Sequence, residues 1–188
     1  MRKTGELSPS RCACEMEYYL PSKKGSHIEL NNICNNLYAQ VFGNQKDRLS
    51  SVKEMDFKGY VKGEMDLVAQ FKENGPFYLI DYKTNYLGNK LSDYGENSIA
   101  ESIFESGYDV QILLYSIALH RFLKNTVENY CDENGDAQKG YEEKFGGVIY
   151  LYVRGMTPTT KDCGVFYVKP DYKLIEKLDK ELFGNQDK

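Results

Sequence analysis

Residues Phe77 to Asn85 read FYLIDYKTN. A run rich in strand-forming residues ends in an aspartate and a lysine with one residue between them. In a strand, side chains two apart point to the same side, so Asp81 and Lys83 share a face and Tyr82 points away. Leu79 and Ile80 belong in a core, yet charged side chains are almost never fully buried unless paired or bound to a metal. The end of a strand leaves burial incomplete, so an open site is expected there.

The preceding stretch, GYVKGEMDLVAQF, is a second strand, separated from PFYLIDYK by the turn composition KENG. An even-numbered loop pairs Asp66 with either Asp81 or Lys83, and either register gathers all three charges on one face. A three-residue loop would send Asp66 to the opposite face. Met65, Leu67, Ala69 and Phe71 form the apolar side of that strand and leave Asp66 on the polar side. Two carboxylates a few ångströms apart repel unless a positive charge sits between them. Mg²⁺ suits the position, because it commonly takes one or two carboxylates and fills its other places with water and phosphate. Such a metal lowers the pKa of a bound water and shields a phosphodiester, while Lys83 orients the water or stabilises charge on the phosphoryl oxygens. The other reading is a salt-bridged group at a sheet edge, and spacing alone does not choose between the two.

Outward from the hairpin, CACEMEYYL alternates as a strand, with Cys14, Met16, Tyr18 and Leu20 on one face, and stops at Pro21. SHIE, Ser26 to Glu29, reads as a capping box opening a helix to about Phe42. Ser98 to Leu123 is helical with a break at Gly107, and its second half is apolar nearly all round, as in a helix packed on several sides. Asn129 to Lys144 is polar and contains glycine, which predicts a mobile loop. FGGVIYLYVRG and GVFYV are two further strands, and Leu174, Leu178 and Leu182 suggest a short closing helix. The order predicts an α/β domain with a mixed central sheet flanked by helices.

The chain has 188 residues, 41% of them hydrophobic and 28% charged, which fits one soluble domain burying roughly 70% of its unfolded surface. No apolar run reaches the ~20 residues of a membrane span, and the start lacks the apolar core of a signal peptide. A cytoplasmic protein with reduced cysteines is expected, since the five cysteines are odd in number and form no CxxC pair. A net charge of −4 argues against coating nucleic acid by bulk electrostatics, although a bound cation can supply the local charge.

GxxD at Gly63 to Asp66, DYK at Asp81 to Lys83, and QxxxY at Gln111 to Tyr115 together resemble the PD-(D/E)XK nuclease superfamily. More narrowly, EMEYYLP, KGEMDLV, YLIDYKTNYLG, YDVQILLYSIALHRFL and FGGVIYLYVRG resemble, in the same order, the C-terminal nuclease domain of RecB-type helicase–nuclease subunits. The resemblance runs from about Cys12 to Phe183. It implies a PD-(D/E)XK nuclease-like fold and Mg²⁺-dependent cutting of DNA, with Mn²⁺ able to substitute. It implies Asp66, Asp81 and the Tyr82 backbone carbonyl as metal ligands and Lys83 as the catalytic lysine. Gln111 and Tyr115, one helical turn apart, resemble the family pair that lines the site near the nucleic acid; a polar seam between helix and sheet is their other reading. The implied partners are single strands of DNA delivered by a helicase, the RecB-type helicase region and RecC- or RecD-like subunits, in double-strand-break repair and DNA degradation.

The family site is usually completed by a histidine or an acid on a helix before the EMEYYLP strand. Here about ten residues precede the strand, none of them histidine, so that helix is expected to be absent. Residues 1–11 are expected to be a poorly ordered leader and 12–188 a single nuclease domain. His27 lies after the strand and reads as a capping or surface residue, and His120 as a packed helix histidine. Free-standing exonucleases of the phage recombination or Cas4 type are an alternative, as is a docking module that has lost activity. With only Cys163 in the last fifty residues, no iron–sulfur cluster is expected.

Overall fold

The computed structural model describes residues 11–21, 27–42, 59–159 and 163–184, with the side chains of the 27–42 helix described from Cys34 to Val41. Residues 1–10, all but the last residue of the expected leader, and Ser26, the first residue of the capping box, lie outside the described residues.

The two predicted strands form a hairpin. Strand β2, Tyr60–Gln70, runs antiparallel to β3, Phe77–Lys83, with Leu67 opposite Ile80 and Val68 opposite Leu79. Continuing that register by one step sets Asp66 opposite Asp81. Strand β1, Cys12–Pro21, lies antiparallel on the other edge of β2. Parallel to β3 runs β4, Phe145–Tyr152, and β5, Val165–Val168, closes the sheet antiparallel to β4. The sheet is thus mixed, five-stranded and ordered β1-β2-β3-β4-β5.

A parallel pair needs a crossover, and here the crossover carries α2, Glu96–Glu105, α3, Tyr108–Thr126, and α4, Gln138–Lys144. Gly107, at φ 72°, breaks α2 from α3 where the sequence predicts a break. With α1, His27–Phe42, and α5, Tyr172–Leu178, these helices pack around α3. Val110, Ile112, Leu113, Leu114, Ile117 and Leu119 of α3 are all buried in the principal core, which explains a helix apolar nearly all round. This is the α/β, PD-(D/E)XK nuclease-like architecture that the sequence predicts: a mixed sheet with helices packed against it.

Three local expectations change. Met65 joins the principal core, whereas Leu67 and Ala69 sit with Ile80 in a second cluster made of strand residues. Alternation therefore breaks around Asp66, across from Glu15, whose backbone is left-handed at φ 52°. Beyond that break Met16, Tyr18 and Leu20 face the principal core, while Cys14 is exposed. The stretch predicted as a mobile loop, Asn129 to Lys144, instead buries Tyr130 and Tyr141 and ends in α4. Two aromatic rings supply the burial that its polar composition hides, and Asp132 Oδ1 accepts the backbone N–H groups of Asn134 and Asp136, each at 2.8 Å. In the closing helix, Ile175 rather than Leu174 is the buried partner of Leu178 and Leu182.

Candidate active site

β3 ends beneath the N-terminal half of α3, which covers the charged side chains at its end. Asp81 is 3% exposed and Lys83 is 8% exposed, so the open site expected at a strand end is instead covered. Tyr108 and Gln111, three residues apart on α3, arch over Lys83 from one side. Tyr150 of β4, paired with Asp81 across the parallel ladder, closes the other. The Lys83 ammonium lies 4.2 Å from the centre of the Tyr108 ring and 4.6 Å from that of Tyr150. Two ring faces favour a cation in a place that burial alone would deny it.

Polar partners complete the lysine's surroundings. Nζ forms an ion pair with Asp81 Oδ1 and donates to Gln111 Oε1 at 2.8 Å. Gln111 Oε1 also accepts the Tyr150 hydroxyl at 2.7 Å, while Gln111 Nε2 donates to the Tyr115 hydroxyl at 2.7 Å. The Tyr115 hydroxyl in turn donates to the Glu64 carbonyl of β2 at 2.7 Å. Tyr115 is steadied by an edge-on contact with Tyr18 of β1, ring centres 5.8 Å apart. Tyr18 can lie there because its neighbour across the ladder is Gly63: a Cβ on that glycine would come within 2.3 Å of the Tyr18 hydroxyl. The glycine of the GxxD motif thus serves ring packing beside the site.

Asp66 is half-buried, and its Oδ2 accepts the Tyr82 backbone N–H at 2.9 Å. The Tyr82 side chain points away, 48% exposed, as alternation predicts. Burial pushes the Asp81 carboxyl above its ordinary range; Lys83 pulls it back, and the charge on Asp66 pushes it further up. Burial holds the Tyr115 and Tyr150 hydroxyls well above the usual tyrosine range, with the Asp81 charge adding to both, so both stay protonated and able to donate.

All five sequence-predicted side chains, Asp66, Asp81, Lys83, Gln111 and Tyr115, therefore meet at one end of the sheet. The polar seam and the site are the same place, because Gln111 and Tyr115 bridge α3 to β2 and to the lysine at once. Sequence reasoning missed Tyr108 and Tyr150. Tyr108 had a signal, being three residues before Gln111 on the same helix face; Tyr150 had none without knowing which strand lies beside β3. His120 is a packed helix histidine, as expected, its Nδ1 2.9 Å from the Tyr130 hydroxyl. The side chain of His27 lies outside the described residues.

The donor set suits a divalent cation in one respect: two carboxylates on facing strands, one resisting ionisation partly because of the other, would both gain from a positive ion. It is also small. Among the described residues no three His, Cys, Asp or Glu side chains are placed to hold a metal, so water and phosphate would have to complete the shell. Among the described residues, too, no helix is long and apolar enough to cross a membrane.

No family model matches the chain. Individual proteins do. RecBCD enzyme subunit RecB of Haemophilus influenzae is 35% identical over 174 residues, which cover 93% of this chain and 13% of that protein. The RecB subunit of Escherichia coli is 34% identical over 183 residues, 95% of this chain and 14% of its own length. The RecB subunit of Mycobacterium tuberculosis is 38% identical over 141 residues, 70% of this chain. The chain thus spans about an eighth of the length of the curated relatives it matches.

Proposed function

We propose that this chain, which over nearly its whole length is a relative of RecB subunits, is the nuclease module of such a subunit: a divalent-metal-dependent deoxyribonuclease. One observation carries the reading. Asp66 accepts the Tyr82 backbone N–H and its charge acts on Asp81, one residue before, while Lys83, one residue after, is held against Asp81 by an amide and two aromatic rings. Structural salt bridges do not need a lysine so closely confined.

Asp66, Asp81 and the Tyr82 carbonyl would hold the ion, Mg²⁺ or Mn²⁺, which when bound would supply an activated water and charge for the scissile phosphate. Lys83 sets a fixed positive charge beside the place where negative charge builds on the phosphoryl oxygens, or where the attacking water lies. Because its surroundings are already arranged, little reorganisation is needed at the moment of reaction. Gln111 and Tyr115 keep the ammonium in place. The proposed substrate is DNA, in single strands fed by a helicase, with RecC- and RecD-like subunits as partners, in the cytoplasm, for double-strand-break repair and DNA degradation.

A second reading has its own support. Lys83 and Asp81 are paired directly and are both buried, which suits a docking module whose charges serve the fold alone. Incubating the chain with single- and double-stranded DNA in Mg²⁺ and in EDTA separates the two. Cutting in Mg²⁺ that disappears in EDTA and in Lys83→Ala is expected. Intact DNA under every metal condition would leave the docking reading standing.

A further inference from the structure

We infer that Tyr150 is a positioning residue for Lys83, acting through the side-chain amide of Gln111. The inference rests on the reading of Lys83 as the catalytic lysine, but its structural core is independent of any activity.

The ammonium of a lysine only donates, so whatever faces it must be an oxygen. An amide can turn either its oxygen or its NH₂ toward a neighbour, and the wrong choice here would set two donors against each other. The hydrogen-bond chain removes that freedom. Tyr115 gives its single proton to the Glu64 carbonyl, so its oxygen is left to accept from Gln111 Nε2. The opposite end of the amide is then an oxygen, and Tyr150 fixes it by donating at 2.7 Å beside the 2.8 Å bond from Lys83. The second acceptor within reach of Tyr150, the Tyr108 carbonyl at 3.4 Å, is much the poorer. Tyr150 is also fully buried with its ring 4.6 Å from the Lys83 ammonium, so one side chain both confines the ammonium and anchors the amide oxygen that faces it.

Tyr152 provides an internal comparison. It too is fully buried on β4, two residues along and on the same face, and it pairs with Lys83 across the ladder. Its hydroxyl goes elsewhere, to Ser102 Oγ at 3.3 Å. A role in packing alone would make the two tyrosines equivalent, whereas a role in positioning would not.

The test uses Tyr150→Phe and Tyr152→Phe in the whole chain, with two readouts. The first is the ¹⁵N-resolved ammonium resonance of Lys83, assigned by its disappearance in Lys83→Arg. We expect Tyr150→Phe to speed its hydrogen exchange about tenfold, in keeping with loss of one buried hydrogen bond, and Tyr152→Phe to leave it unchanged. The second is DNA cutting, where Tyr150→Phe should lower kcat about tenfold with KM within about twofold, as for an interaction that matters in the transition state. Ammonium exchange and kcat equal to wild type in Tyr150→Phe would overturn the inference, as would equal changes in the two variants. If the wild-type chain cuts no DNA, the nuclease reading fails by itself. The ammonium comparison then still decides whether Tyr150 positions Lys83, since it needs only the folded protein. Should Tyr150→Phe not fold, Gln111→Leu removes the same acceptor from the chain's other side. A Lys83 resonance with wild-type exchange in that variant would equally overturn the inference.

Discussion

Removing the Lys83 side chain would leave Asp81 buried, beside Asp66, with its ion-pair partner gone. Breaking a buried pair from one side costs more than the pair contributes, because a charge is stranded in low dielectric. We therefore expect Lys83→Ala to abolish cutting and also to cost roughly 3 kcal/mol at pH 8, more than the simple deletion of a strand-end charge. The cost should shrink in acid. Asp81 already has a folded pKa raised above its ordinary value by burial and by Asp66, and loss of Lys83 raises it further. A raised carboxyl favours the fold below its unfolded value, and that contribution is lost as pH rises through the folded value. Urea unfolding of the variant in EDTA at pH 5 and pH 8 checks this: relative to wild type it should be closer at pH 5. An equal deficit at both values would show that Asp81 finds another partner. At this scale the charges were legible in the sequence, since an even-numbered loop between the two strands brings Asp66, Asp81 and Lys83 to one face, although the break in alternation around Asp66 was not. It was silent on their burial, which depends on Tyr108 and Tyr150 arriving from elements far along the chain.

At the scale of elements, α3 does two jobs at its two ends. Its first turns carry Gln111 and Tyr115 into the site. Its later turns carry His120 into a cluster with Tyr130, Tyr141 and Tyr172, ring centres 5.5 to 6.0 Å from the imidazole. Gln111→Ala should weaken cutting far more than it weakens Mn²⁺ affinity, read by calorimetry, because the amide faces Lys83 and not the carboxylates. A lost calorimetric signal would instead place Gln111 against the metal. At the other end, burial lowers the His120 pKa from 6.5 to about 4, with Lys124 and Arg121 helping and Glu176 opposing. The unfolded chain then binds a proton that the folded one refuses, so this residue makes the fold less stable as pH falls from about 6.5 toward 4. Between pH 7.5 and pH 4.5 wild type should lose about 2 kcal/mol more than His120→Gln, in which nothing titrates. Parallel loss in both, by urea unfolding, would mean that the imidazole is protonated in place. The helix itself, with its break at Gly107, was readable from periodicity. The segment from Asn129 to Lys144 was not, because Tyr130 and Tyr141 are buried by tertiary contacts with His120 that no local pattern announces.

Across the whole molecule, the charge balance decides how DNA could be held. The chain has 24 basic and 28 acidic residues, and many described cations are already paired. Lys62 meets Glu17 at 2.7 Å, Lys180 meets Glu176 at 2.8 Å and Lys169 meets Glu142 at 3.0 Å. Exposed pairs of this kind contribute little to stability, but they do occupy the positive charge that a phosphate backbone would seek. If the nuclease reading is right, a divalent ion at Asp66 and Asp81 is a principal source of attraction for phosphate, and binding should depend on it far more steeply than on the protein's own lysines. We therefore expect a labelled single-stranded oligonucleotide to bind at least about tenfold more tightly in Ca²⁺ than in EDTA at matched ionic strength. Ca²⁺ serves because it shares the oxygen-ligand chemistry of Mg²⁺ without its compact geometry, so binding can be followed apart from cutting. The gain should vanish in Asp66→Asn, which keeps an oxygen for the Tyr82 N–H but surrenders the charge, and should survive in Tyr152→Phe. Fluorescence anisotropy of the three proteins decides it. Equal affinity in Ca²⁺ and EDTA would show that DNA is held by other surfaces, and a gain retained in Asp66→Asn would place the cation somewhere other than between the two facing strands.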